Sequence, residues 1–591
     1  MKISNNEYFN LLKTWADSLI SLQVTDSKHK EFYGGIMCPA CKLMHGRIGD
    51  TMYPLVYLYS VTGDKKYYNA AKLSFTWVIN NMQKNKGVFI NDANSTWYGI
   101  TSFFNIQLGE LLYELKEFID PEDYKHWYKT YEDTCEFLYS DKFPPKNAVV
   151  NYIVATATSM AIAWKLTGKE QYYEKAKKFA KIVLKHFTDE GFLFGEGKIP
   201  TLTSTPKGCY AVDIGYNVEE SLPNLAIYLK YIDNDDDIKT IVLKSLKAHL
   251  DFLLPDGAWD NSWGARTAKW TYWGSRTSDG SQIAYEYFAD YDDAFFEAAH
   301  RNFELYKKCT VNGLLAGGLH HNEMNEPVCI HHSFCHLKGI ICMAKTVHKR
   351  TAGIKLPREV FDGIKQYKTM DVSVAKRGEW TATFSCDDYA IKVPEDTPSG
   401  GAVTLLYHNK TGVILTGGQN EYELVEPNNM QIPKHYDNVC QLTRIETEKD
   451  GERYKNTFDT TAKTEISDDG KTITYKVQGA LKNFKHEEIS TCSIIYTLTE
   501  ESFKISASAD CENAKLIIPV VTVPGENIKT DKNTVTIQKE NAVVEIEGSK
   551  NIDRDLSKDK RIFNCNGGFA TAHFTVDINK KETITLTLKV K

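Results

Sequence analysis

The spacing of the apolar residues changes once along this chain, and that change limits the possible folds more than any other feature. From residue 4 to about 350, apolar residues recur at helical spacing, which predicts a series of amphipathic α-helices. From about residue 371 they alternate with polar residues in runs such as STCSIIYTLT and TITLTLKV, which is typical of half-buried strands. The sequence therefore predicts a multidomain protein with a helical region followed by an antiparallel β-sandwich.

The helical region consists of repeated helix–turn–helix units. The phrase TGDKKYY at 62–68 returns as TGKEQYY at 167–173, each time between two apolar segments. One helical hairpin cannot bury its own apolar face, so repeated hairpins stack or close into a ring. About six hairpins make an (α/α) toroid the expected architecture. Its helices are predicted at 5–22, 48–61, 67–83, 97–118, 122–139, 149–166, 170–187, 217–231, 237–254, 281–288, 292–308 and 331–347.

The boundary between the two regions is predicted near the basic segment HKRTAGIKLPRE, which contains both glycine and proline. A chain of 591 residues also exceeds the ~250–300 residues at which single cores stop growing. We therefore expect an α/α toroid catalytic domain at 1–350, a linker at 351–370 and an antiparallel β-sandwich domain at 371–591.

Composition and charge exclude several classes of partner. The net charge of −6 provides no global basic field for nucleic acid, and no apolar run approaches the ~20 residues of a membrane span. The 13 cysteines are an odd number scattered over the chain, which favours reduced thiols over a disulfide framework. The N-terminal segment reads as an amphipathic helix, so we expect a cytoplasmic protein, or a secreted or periplasmic one if a signal peptide was removed.

The loop from Asp256 to Asp279 has the composition of a carbohydrate site. Within it, Trp-Gly-Ala-Arg-Thr at 263–267 returns as Trp-Gly-Ser-Arg-Thr at 273–277. Indole faces stack on sugar rings, guanidinium groups pair with carboxylates, and glycine lets the backbone approach a ligand. The alternative is an aromatic loop packed over a core. We expect stacking subsites and cations for acidic groups at Trp259, Trp263, Tyr272, Trp273, Arg266 and Arg276, and we assign Asp260 in the same loop to substrate binding.

A Cys-Pro-Ala-Cys motif at 38–41 is followed by His45, Arg47 and Asp50. A CxxC with a nearby histidine can ligate zinc, but a structural zinc site needs four ligands and the sequence has no second CxxC. We therefore expect buried thiols and no metal. His45 and Arg47 are predicted to contact an acidic sugar, and an Arg47–Asp50 pair at a helix start is the alternative for the arginine.

The segment YAVDIGYNVEE at 210–220 places two tyrosines, an amide and three carboxylates at the start of a predicted helix. A tyrosine hydroxyl can act as a general base or acid when cations stabilise its phenolate. A purely structural role is the alternative, because tyrosine is common. We assign Tyr216 to proton transfer, and Tyr210 and Glu220 to substrate binding.

Five of the 16 histidines fall within residues 320–336. Histidine is the side chain that most readily exchanges protons near neutral pH. Two adjacent histidines cannot share one helical face, so some of the five are expected to pack or to form hydrogen bonds. We assign His331 or His332 to proton transfer, and His320 and His321 to substrate binding.

A helical toroid with sugar-binding loops, followed by a β-sandwich, resembles the heparinase II/III-type and alginate-lyase-like polysaccharide lyases over the whole chain. The resemblance implies β-elimination in a uronic-acid-containing glycan, without a metal or other cofactor. It also implies that an asparagine near a helix start, here Asn151, neutralises the uronate carboxylate. The tyrosine that handles protons in the family corresponds to Tyr216, with Tyr210 as a substitute. Tyr152 stands where the family often has a histidine, and we assign it to substrate binding.

The chemistry of β-elimination fits these residue types. The charge that develops on the uronate carboxylate must be neutralised, which Arg276, Arg266 or Asn151 could do. Tyr216, with one of the paired histidines, would handle the C5 proton, and an acid would protonate the leaving glycosidic oxygen. The expected partner is thus an acidic oligosaccharide or polysaccharide.

Two alternatives come from other classes of function. A glycoside hydrolase on a similar ring would use two carboxylates, ~6.5–9.5 Å apart in an inverting enzyme. A non-catalytic glycan-binding protein would use the same aromatic loops, although the density of titratable groups beside them favours an enzyme. The acids available to a hydrolase are Asp213, Glu219, Glu220, Asp260 and Asp279.

Overall fold

The structure is a computed structural model of the chain. Helices occupy the first part of the chain and strands the second, so the predicted order of a helical region and an antiparallel β region is confirmed. The structure describes residues 7–92, 95–145, 148–197, 202–276, 283–346, 352–389, 397–420, 439–554 and 561–591.

The helices end and restart at local sequence signals. In the repeated TGxxxYY phrase, Gly63 and Gly168 each end a helix in the left-handed conformation, with φ of 72° and 71°. Asp64 then caps the next helix by accepting a hydrogen bond from Lys66 N–H. The helices are α1 Glu7–Ser21, α2 Met52–Thr62, α3 Lys65–Met82, α4 Ile100–Glu114, α5 Pro121–Tyr139, α6 Val150–Thr167, α7 Glu170–Val183, α8 Ile214–Tyr216, α9 Leu222–Tyr231, α10 Asp236–His249, α11 Ile283–Tyr287, α12 Asp293–Lys308, α13 Ile330–Lys345 and α14 Pro357–Val360.

The long helices of the described residues pair as the sequence predicts. α2 contacts α3, α4 contacts α5, α6 contacts α7, α9 contacts α10, and α11 contacts α12. The last pair closes the ring, because α1 packs against α13. Buried apolar side chains from these helices form one continuous core, since each hairpin buries its apolar face against its neighbours. None of the helices described is both long and apolar enough to span a membrane.

Short hairpins interrupt the helical region, and long ladders make up the β region. The hairpin strands are β1 Gln83–Asn85, β2 Val88–Phe89, β3 Trp270–Thr271, β4 Gly274–Ser275, β5 Thr310–Val311 and β6 Leu314–Leu315. The strands of the β region are β7 Gly363–Tyr367, β8 Val372–Arg377, β9 Trp380–Ser385, β10 Ala402–His408, β11 Gly412–Thr416, β12 Arg444–Lys449, β13 Glu452–Lys455, β14 Lys463–Asp468, β15 Ile473–Lys482, β16 Glu488–Leu498, β17 Phe503–Ala509, β18 Ala514–Val521, β19 Ile528–Asp531, β20 Thr534–Gln538, β21 Val543–Gly548, β22 Asp553–Arg554, β23 Ile562–Asn564, β24 Phe569–Ile578 and β25 Thr583–Val590.

The β region is built from two antiparallel sheets packed against each other. The smaller sheet has the strand order β11-β10-β9-β8-β7. The larger has the order β19-β20-β21-β25-β17-β16-β15-β13-β12-β18-β24-β22, with β14 on β15 and β23 on β24. Phe384 of β9 stacks on Tyr475 of β15, with ring centroids 4.4 Å apart, so side chains of both sheets meet in one core.

The segment between the two regions is structured. α14 and β7 lie within 351–370, which corrects the prediction of a linker there. Arg358 of α14 donates to Asp260 Oδ2 at 2.8 Å, and Thr383 Oγ1 of β9 donates to the same oxygen at 2.5 Å. Asp260 is fully buried. Its assignment to substrate binding is therefore wrong, because its carboxylate holds the helical region to the β region.

Candidate active site

Tyr216 lies at the end of α8, where the chain changes its helix type. The Asp213 carboxylate caps this helix by accepting a hydrogen bond from Tyr216 N–H at 2.9 Å. Asn217–Ser221 then form a π-helical turn that leads into α9. Pro223, in the first turn of α9, has no N–H to bond to the carbonyl four residues earlier, which favours the wider turn. Such π turns are frequent at functional sites.

Two cations contact Tyr216. Lys269 Nζ donates to Tyr216 OH at 2.9 Å, and the guanidinium carbon of Arg266 lies 4.6 Å from the ring centroid. Tyr216 is only 3% exposed, so these contacts act where water screens them little. An ammonium and a guanidinium beside the ring stabilise the phenolate, the form in which tyrosine accepts a proton.

The first Trp-Gly-x-Arg-Thr phrase positions Arg266 through a close backbone approach. A Cβ on Gly264 would lie 2.6 Å from Asn261 Oδ1 and 3.1 Å from Asp213 Oδ2. Because glycine stands there, Arg266 N–H can donate to Asp213 Oδ2 at 2.7 Å. The carboxylate that caps the helix of Tyr216 thus also fixes the backbone of Arg266.

The second phrase forms the hairpin β3–β4. A Cβ on Gly274 would lie 2.2 Å from Glu219 Cδ, and Ser275 N–H donates to Glu219 Oε2 at 3.1 Å. At the base of the hairpin, Arg276 N–H donates to Lys269 O at 3.0 Å. Gly264 therefore lets the first copy of the phrase pack against Asp213, and Gly274 lets the second copy pack against Glu219.

Asn151, in the first turn of α6, binds two acids. Its Nδ2 donates to Glu220 Oε1, and its backbone N–H donates to Glu196 Oε1 at 3.0 Å. Glu196 Oε2 also pairs with Arg266 Nε at 3.1 Å. Asn151 and Tyr216, which the sequence assigns to one site, are thus joined through Glu196 and Arg266.

The side chain of Glu220 has a pKa close to neutral pH. Burial, and then the charge of Glu196, raise the pKa of Glu220 to about 7, although Arg47 and Asn151 act in the opposite direction. A protonated carboxyl is a hydrogen-bond donor, whereas a carboxylate only accepts. In its protonated form Glu220 can donate to an anionic group placed beside Asn151.

The aromatic surface beside this site comes from Trp97, Tyr98 and Tyr152, of which the sequence assigned only Tyr152 to substrate binding. Trp97 is 41% exposed, and its Nε1 donates to Tyr152 OH at 2.7 Å. The Trp97 and Tyr98 rings stack with centroids 5.8 Å apart. Tyr152, next to Asn151, and Tyr98 are half-buried. These rings offer an accessible apolar face of the kind that binds sugars.

The four aromatic residues assigned to stacking subsites are core residues, so that assignment is wrong. Trp259, Trp263, Tyr272 and Trp273 are fully buried, with no surface for a sugar ring. The alternative of an aromatic segment packed over a core holds for them, because their large apolar area is stabilising only when it leaves water. Their partners are the Tyr285 ring for Trp259, the Phe252 ring for Trp263, the Asp256 carboxylate for Tyr272 and the Ala316 carbonyl for Trp273.

His45 and Arg47 are also buried. His45 Nε2 lies 3.1 Å from Cys41 Sγ, which corrects its assignment to substrate binding. Arg47 Nε donates to Asp50 Oδ2 at 2.5 Å, and its guanidinium carbon lies 5.0 Å from the Phe103 ring centroid. The structure therefore agrees with the second interpretation of Arg47, an ion pair with Asp50 at the start of a helix.

The paired histidines lie in the first turn of α13. His331 packs its ring against His45, with centroids 5.2 Å apart, and His332 Nδ1 lies 3.2 Å from Leu315 O. Burial lowers the pKa of both, and the charges of His45 and Arg47 lower that of His331 further. Both rings are therefore neutral at pH 7, and their part in proton transfer stays a prediction.

His320 and His321 lie against the β region. His320 Nδ1 accepts from Ala570 N–H at 3.1 Å, and the His321 ring packs on Phe563 with centroids 4.9 Å apart. Burial and the charge of Arg276 lower the pKa of His321 to about 3. The contacts place both histidines between the helical and β regions, and their assignment to substrate binding stays a prediction.

Tyr210 lies at the same loop-to-helix junction as Tyr216. Its N–H donates to Thr369 O at 2.8 Å, and its ring packs on Phe194 with centroids 4.4 Å apart. Tyr210 is half-buried. Its role as a substitute for Tyr216, or in substrate binding, stays a prediction.

The acids proposed for a hydrolase are engaged in structural contacts. Asp213 accepts from Asn261 Nδ2 at 3.0 Å in addition to its backbone contacts. Glu219 accepts from Tyr306 OH at 2.7 Å and lies 2.9 Å from His336 Nε2. These bonds fix both carboxylates in place. Asp279, also proposed, lies outside the described residues.

Sequence reasoning missed four residues of the site. Lys269 follows the first arginine of the repeated phrase by three positions, so the phrase itself was the available signal. Trp97 lies in a loop whose aromatic content was visible. Glu196 and Tyr389 carried no signal, because they reach the site through tertiary contacts. Tyr389, from the β region, packs its hydroxyl on Gly197, where a Cβ would lie 1.6 Å from it. Burial raises the pKa of Tyr389, and the charges of Arg266 and Glu196 also act on it.

Comparisons with known proteins agree on one family. The family model described as the ulvan lyase N-terminal domain matches residues 12–359, and the model of the ulvan lyase C-terminal domain matches residues 364–591. The broad-specificity ulvan lyase of Formosa agariphila is 36% identical over 573 residues, which cover 94% of this chain and 89% of that protein.

Solved structures share the fold at low sequence identity. Heparinase III superposes with a TM-score of 0.55 at 13% identity, covering 91% of this chain and 76% of that one. The chondroitin AC lyase of Streptomyces coelicolor A3 superposes with a TM-score of 0.52 at 11% identity, covering 99% of this chain and 83% of that one. The predicted toroid-plus-sandwich architecture is confirmed by these neighbours.

Proposed function

We propose that this chain, which belongs to the ulvan lyase family, cleaves ulvan by β-elimination, with Tyr216 as the proton carrier. The family membership makes the chain a polysaccharide lyase, as the sequence predicts. The choice of ulvan rests on the name of the 36% identical relative. The roles of individual residues rest on the geometry around Tyr216.

Tyr216 performs both proton transfers in this proposal. Its phenolate removes the proton at C5 of the uronate, and the C4–O bond breaks as the C4=C5 double bond forms. The same hydroxyl then returns the proton to the leaving glycosidic oxygen. Lys269 and Arg266 stabilise the phenolate before the first transfer, because they contact the hydroxyl and the ring.

The uronate carboxylate binds beside Asn151 and Glu220. Removal of the C5 proton places additional negative charge on this carboxylate, and donors aimed at it stabilise that charge. Asn151 Nδ2 has a second N–H besides the one it gives to Glu220. The raised pKa of Glu220 lets the carboxyl remain protonated and donate at neutral pH. Trp97 and Tyr152 offer the accessible face for a neighbouring sugar ring.

One observation carries the proposal: Lys269 Nζ donates to Tyr216 OH at 2.9 Å, and Tyr216 is almost fully buried. A structural tyrosine such as Tyr272 donates its hydroxyl to a carboxylate, whose charge opposes the phenolate. Two cations on one buried tyrosine instead favour its charged form, which a proton-abstracting group needs.

The test is absorbance near 235 nm while the full chain is incubated with ulvan. Elimination creates a conjugated unsaturated uronate that absorbs there, and hydrolysis does not. A rising signal is expected from the wild type and from Tyr210→Phe, whereas Tyr216→Phe should give almost none. New reducing ends without absorbance would refute the elimination. A lost signal in Tyr210→Phe with a retained one in Tyr216→Phe would transfer the role to Tyr210.

A further inference from the structure

We infer that Cys38, Cys41, His45 and Cys329 form a structural zinc site that ties the start of the helical ring to its last long helix. Each residue offers one ligand atom, and these four atoms lie within 4.8 Å of one another. Three thiolates and one imidazole are a ligand set that zinc binds tetrahedrally. The inference does not depend on the proposed function.

The distances between the ligand atoms fit a tetrahedral ion. With Zn–S bonds of ~2.3 Å, two thiolates on one zinc ion lie about 3.8 Å apart. Cys38 Sγ and Cys329 Sγ are 3.7 Å apart. Cys41 Sγ lies 3.1 Å from His45 Nε2, a distance that a shared zinc ion would widen to about 3.5 Å. A disulfide would need ~2.05 Å between two sulfurs and would leave the other two ligands unused.

The backbone of the Cys-Pro-Ala-Cys turn already aims both sulfurs at one point. Cys41 N–H points at Cys38 Sγ at 3.5 Å, a contact that stabilises a thiolate. Lys42 N–H donates to Cys38 O at 3.1 Å, and Lys42 adopts a φ of 57°. That left-handed conformation is uncommon for a residue with a side chain. The turn therefore brings the Cys38 and Cys41 sulfurs within reach of one ion.

The site is closed, which makes its role structural. Cys38 and His45 are fully buried, Cys329 is 1% exposed, and Cys41 is half-buried. Four protein ligands fill the tetrahedral shell and leave no position for water or substrate.

The position of the site explains what the ion would do. Cys329 is the N-cap of α13, and the other three ligands lie in the loop between α1 and α2. Because these segments come from the two ends of the helical ring, the free energy of metal binding would stabilise ring closure. His331, two residues after Cys329, packs on the ring of His45. The ion would thus also fix the first turn of α13 beside Arg47.

The experiment is elemental analysis of the full chain, purified without chelators from a zinc-supplemented culture. We expect about one zinc ion per chain for the wild type, by the ligand count. Cys329→Ser and Cys41→Ser should each lose most of it. Cys309→Ser is the matched control, because Cys309 is also fully buried but lies outside the cluster, at the C-cap of α12. It should retain the full zinc content.

A second measurement uses the wild type alone, so it does not depend on the variants folding. Cobalt exchanged for the metal should give the visible absorption bands of tetrahedral thiolate coordination. Thiol titration of the denatured, unreduced chain should count all 13 cysteines. A wild type without metal, a cobalt form without those bands, or a count lower by two thiols would each overturn the zinc site, and the last would replace it with a disulfide.

Discussion

The two copies of the Trp-Gly-x-Arg-Thr phrase share a sequence but place their arginines in opposite electrostatic surroundings. In the first copy, Arg266 pairs with the buried Glu196 at 3.1 Å and covers the Tyr216 ring. In the second copy, Arg276 is 1% exposed and donates to Cys565 O at 3.2 Å. Its Nε and Nη1 have no hydrogen-bond partner among the described residues. Among the described residues, the charge of Arg266 is compensated by Glu196, whereas Arg276 has no acidic partner.

This difference shows that the same motif can hold a compensated arginine in one place and, among the described residues, an arginine without an acidic partner in another. A buried charge without a partner costs several kcal/mol, so a chain that keeps one gains something in return. The imidazoles nearest to Arg276, His321 and His332, are neutral and supply no negative charge. We therefore expect an anionic group of the substrate to complete the second copy, in line with the carboxylate contact that the sequence assigns to Arg276.

The largest effect is expected where the first copy acts. Tyr216→Phe removes the hydroxyl that Lys269 contacts, and kcat should fall by ~10³-fold or more, since general acid–base catalysis contributes ~10²–10⁴-fold. Tyr272→Phe is the matched control next to the second copy, because it removes a hydroxyl bonded to Asp256 at 2.7 Å. It should cost about 1–2 kcal/mol of the free energy of unfolding and leave kcat nearly unchanged.

Steady-state kinetics and denaturant unfolding of both variants check this contrast. A Tyr216→Phe variant that turns over at the wild-type rate would remove Tyr216 from the mechanism. The same conclusion would follow if both variants lost activity equally, because the loss would then come from general loosening of the site.

The same substitution in the two arginines should shift stability in opposite directions. Arg266→Met leaves the buried Glu196 without its partner, and we expect the free energy of unfolding to fall by about 3 kcal/mol. Arg276→Met removes an uncompensated charge and should raise that free energy by about 1–3 kcal/mol. If an anionic substrate group completes the second copy, Arg276→Met should also lower kcat/KM at least about tenfold.

Unfolding in urea and kinetics on the same preparations separate these effects. Equal losses of stability in both variants would show that Arg276 is compensated after all. A stabilised Arg276→Met variant with unchanged kcat/KM would deny it any contact with substrate.

The sequence predicted the fold well because the fold depends on local periodicity. The helix and strand spacings, and signals such as Gly63 and Gly168, are properties of neighbouring residues. Pairs such as Asn151 with Glu220 could not be read in the same way, because they form only when α6 meets the turn before α9. Asn151 and Tyr216 were assigned from the resemblance, whereas Glu196, which contacts Asn151 and Arg266, was missed because it lies in a loop with no motif.

The tryptophans show the opposite error. Four of them within 24 residues look like a ligand surface when only composition is considered. Their apolar area instead leaves water, and the Gly and Arg positions between them dock the segment onto 213–220. Cys329, like Glu196, was missed because it meets its partners only in the folded chain. The helical ring must close before Cys329 reaches Cys38.

The two glycines of the phrase should differ in how much they tolerate a side chain. Gly274→Ala would place its Cβ 2.2 Å from Glu219 Cδ at a φ of 157°, and Glu219 cannot move because it bonds Tyr306. We expect a loss of about 3 kcal/mol or more. In Gly264→Ala the new Cβ would lie 2.6 Å from Asn261 Oδ1. We expect this contact to lower the free energy of unfolding by about 1–3 kcal/mol. Thermal unfolding of both variants compares their losses of stability. A larger loss for Gly264→Ala than for Gly274→Ala would mean that the second copy of the phrase is packed less tightly than the first.

The remaining effect is one of pH and concerns Glu220, whose pKa is raised by burial and by the charge of Glu196, the partner of Arg266 in the first copy. The pKa of Glu220 is about 7 in the folded chain, against 4.5 for the free side chain. The folded state therefore binds the proton more tightly, so this carboxyl contributes stability below pH 4.5 that is lost as the pH rises to 7. Each pH unit in that window is worth up to about 1.4 kcal/mol, so the shift from 4.5 to about 7 amounts to about 3 kcal/mol in all. Glu220→Gln stays neutral, so its advantage in the free energy of unfolding over the wild type should grow between pH 5 and 7.5 and then level off. Urea unfolding at several pH values measures this difference, and a constant offset would show that Glu220 does not titrate there.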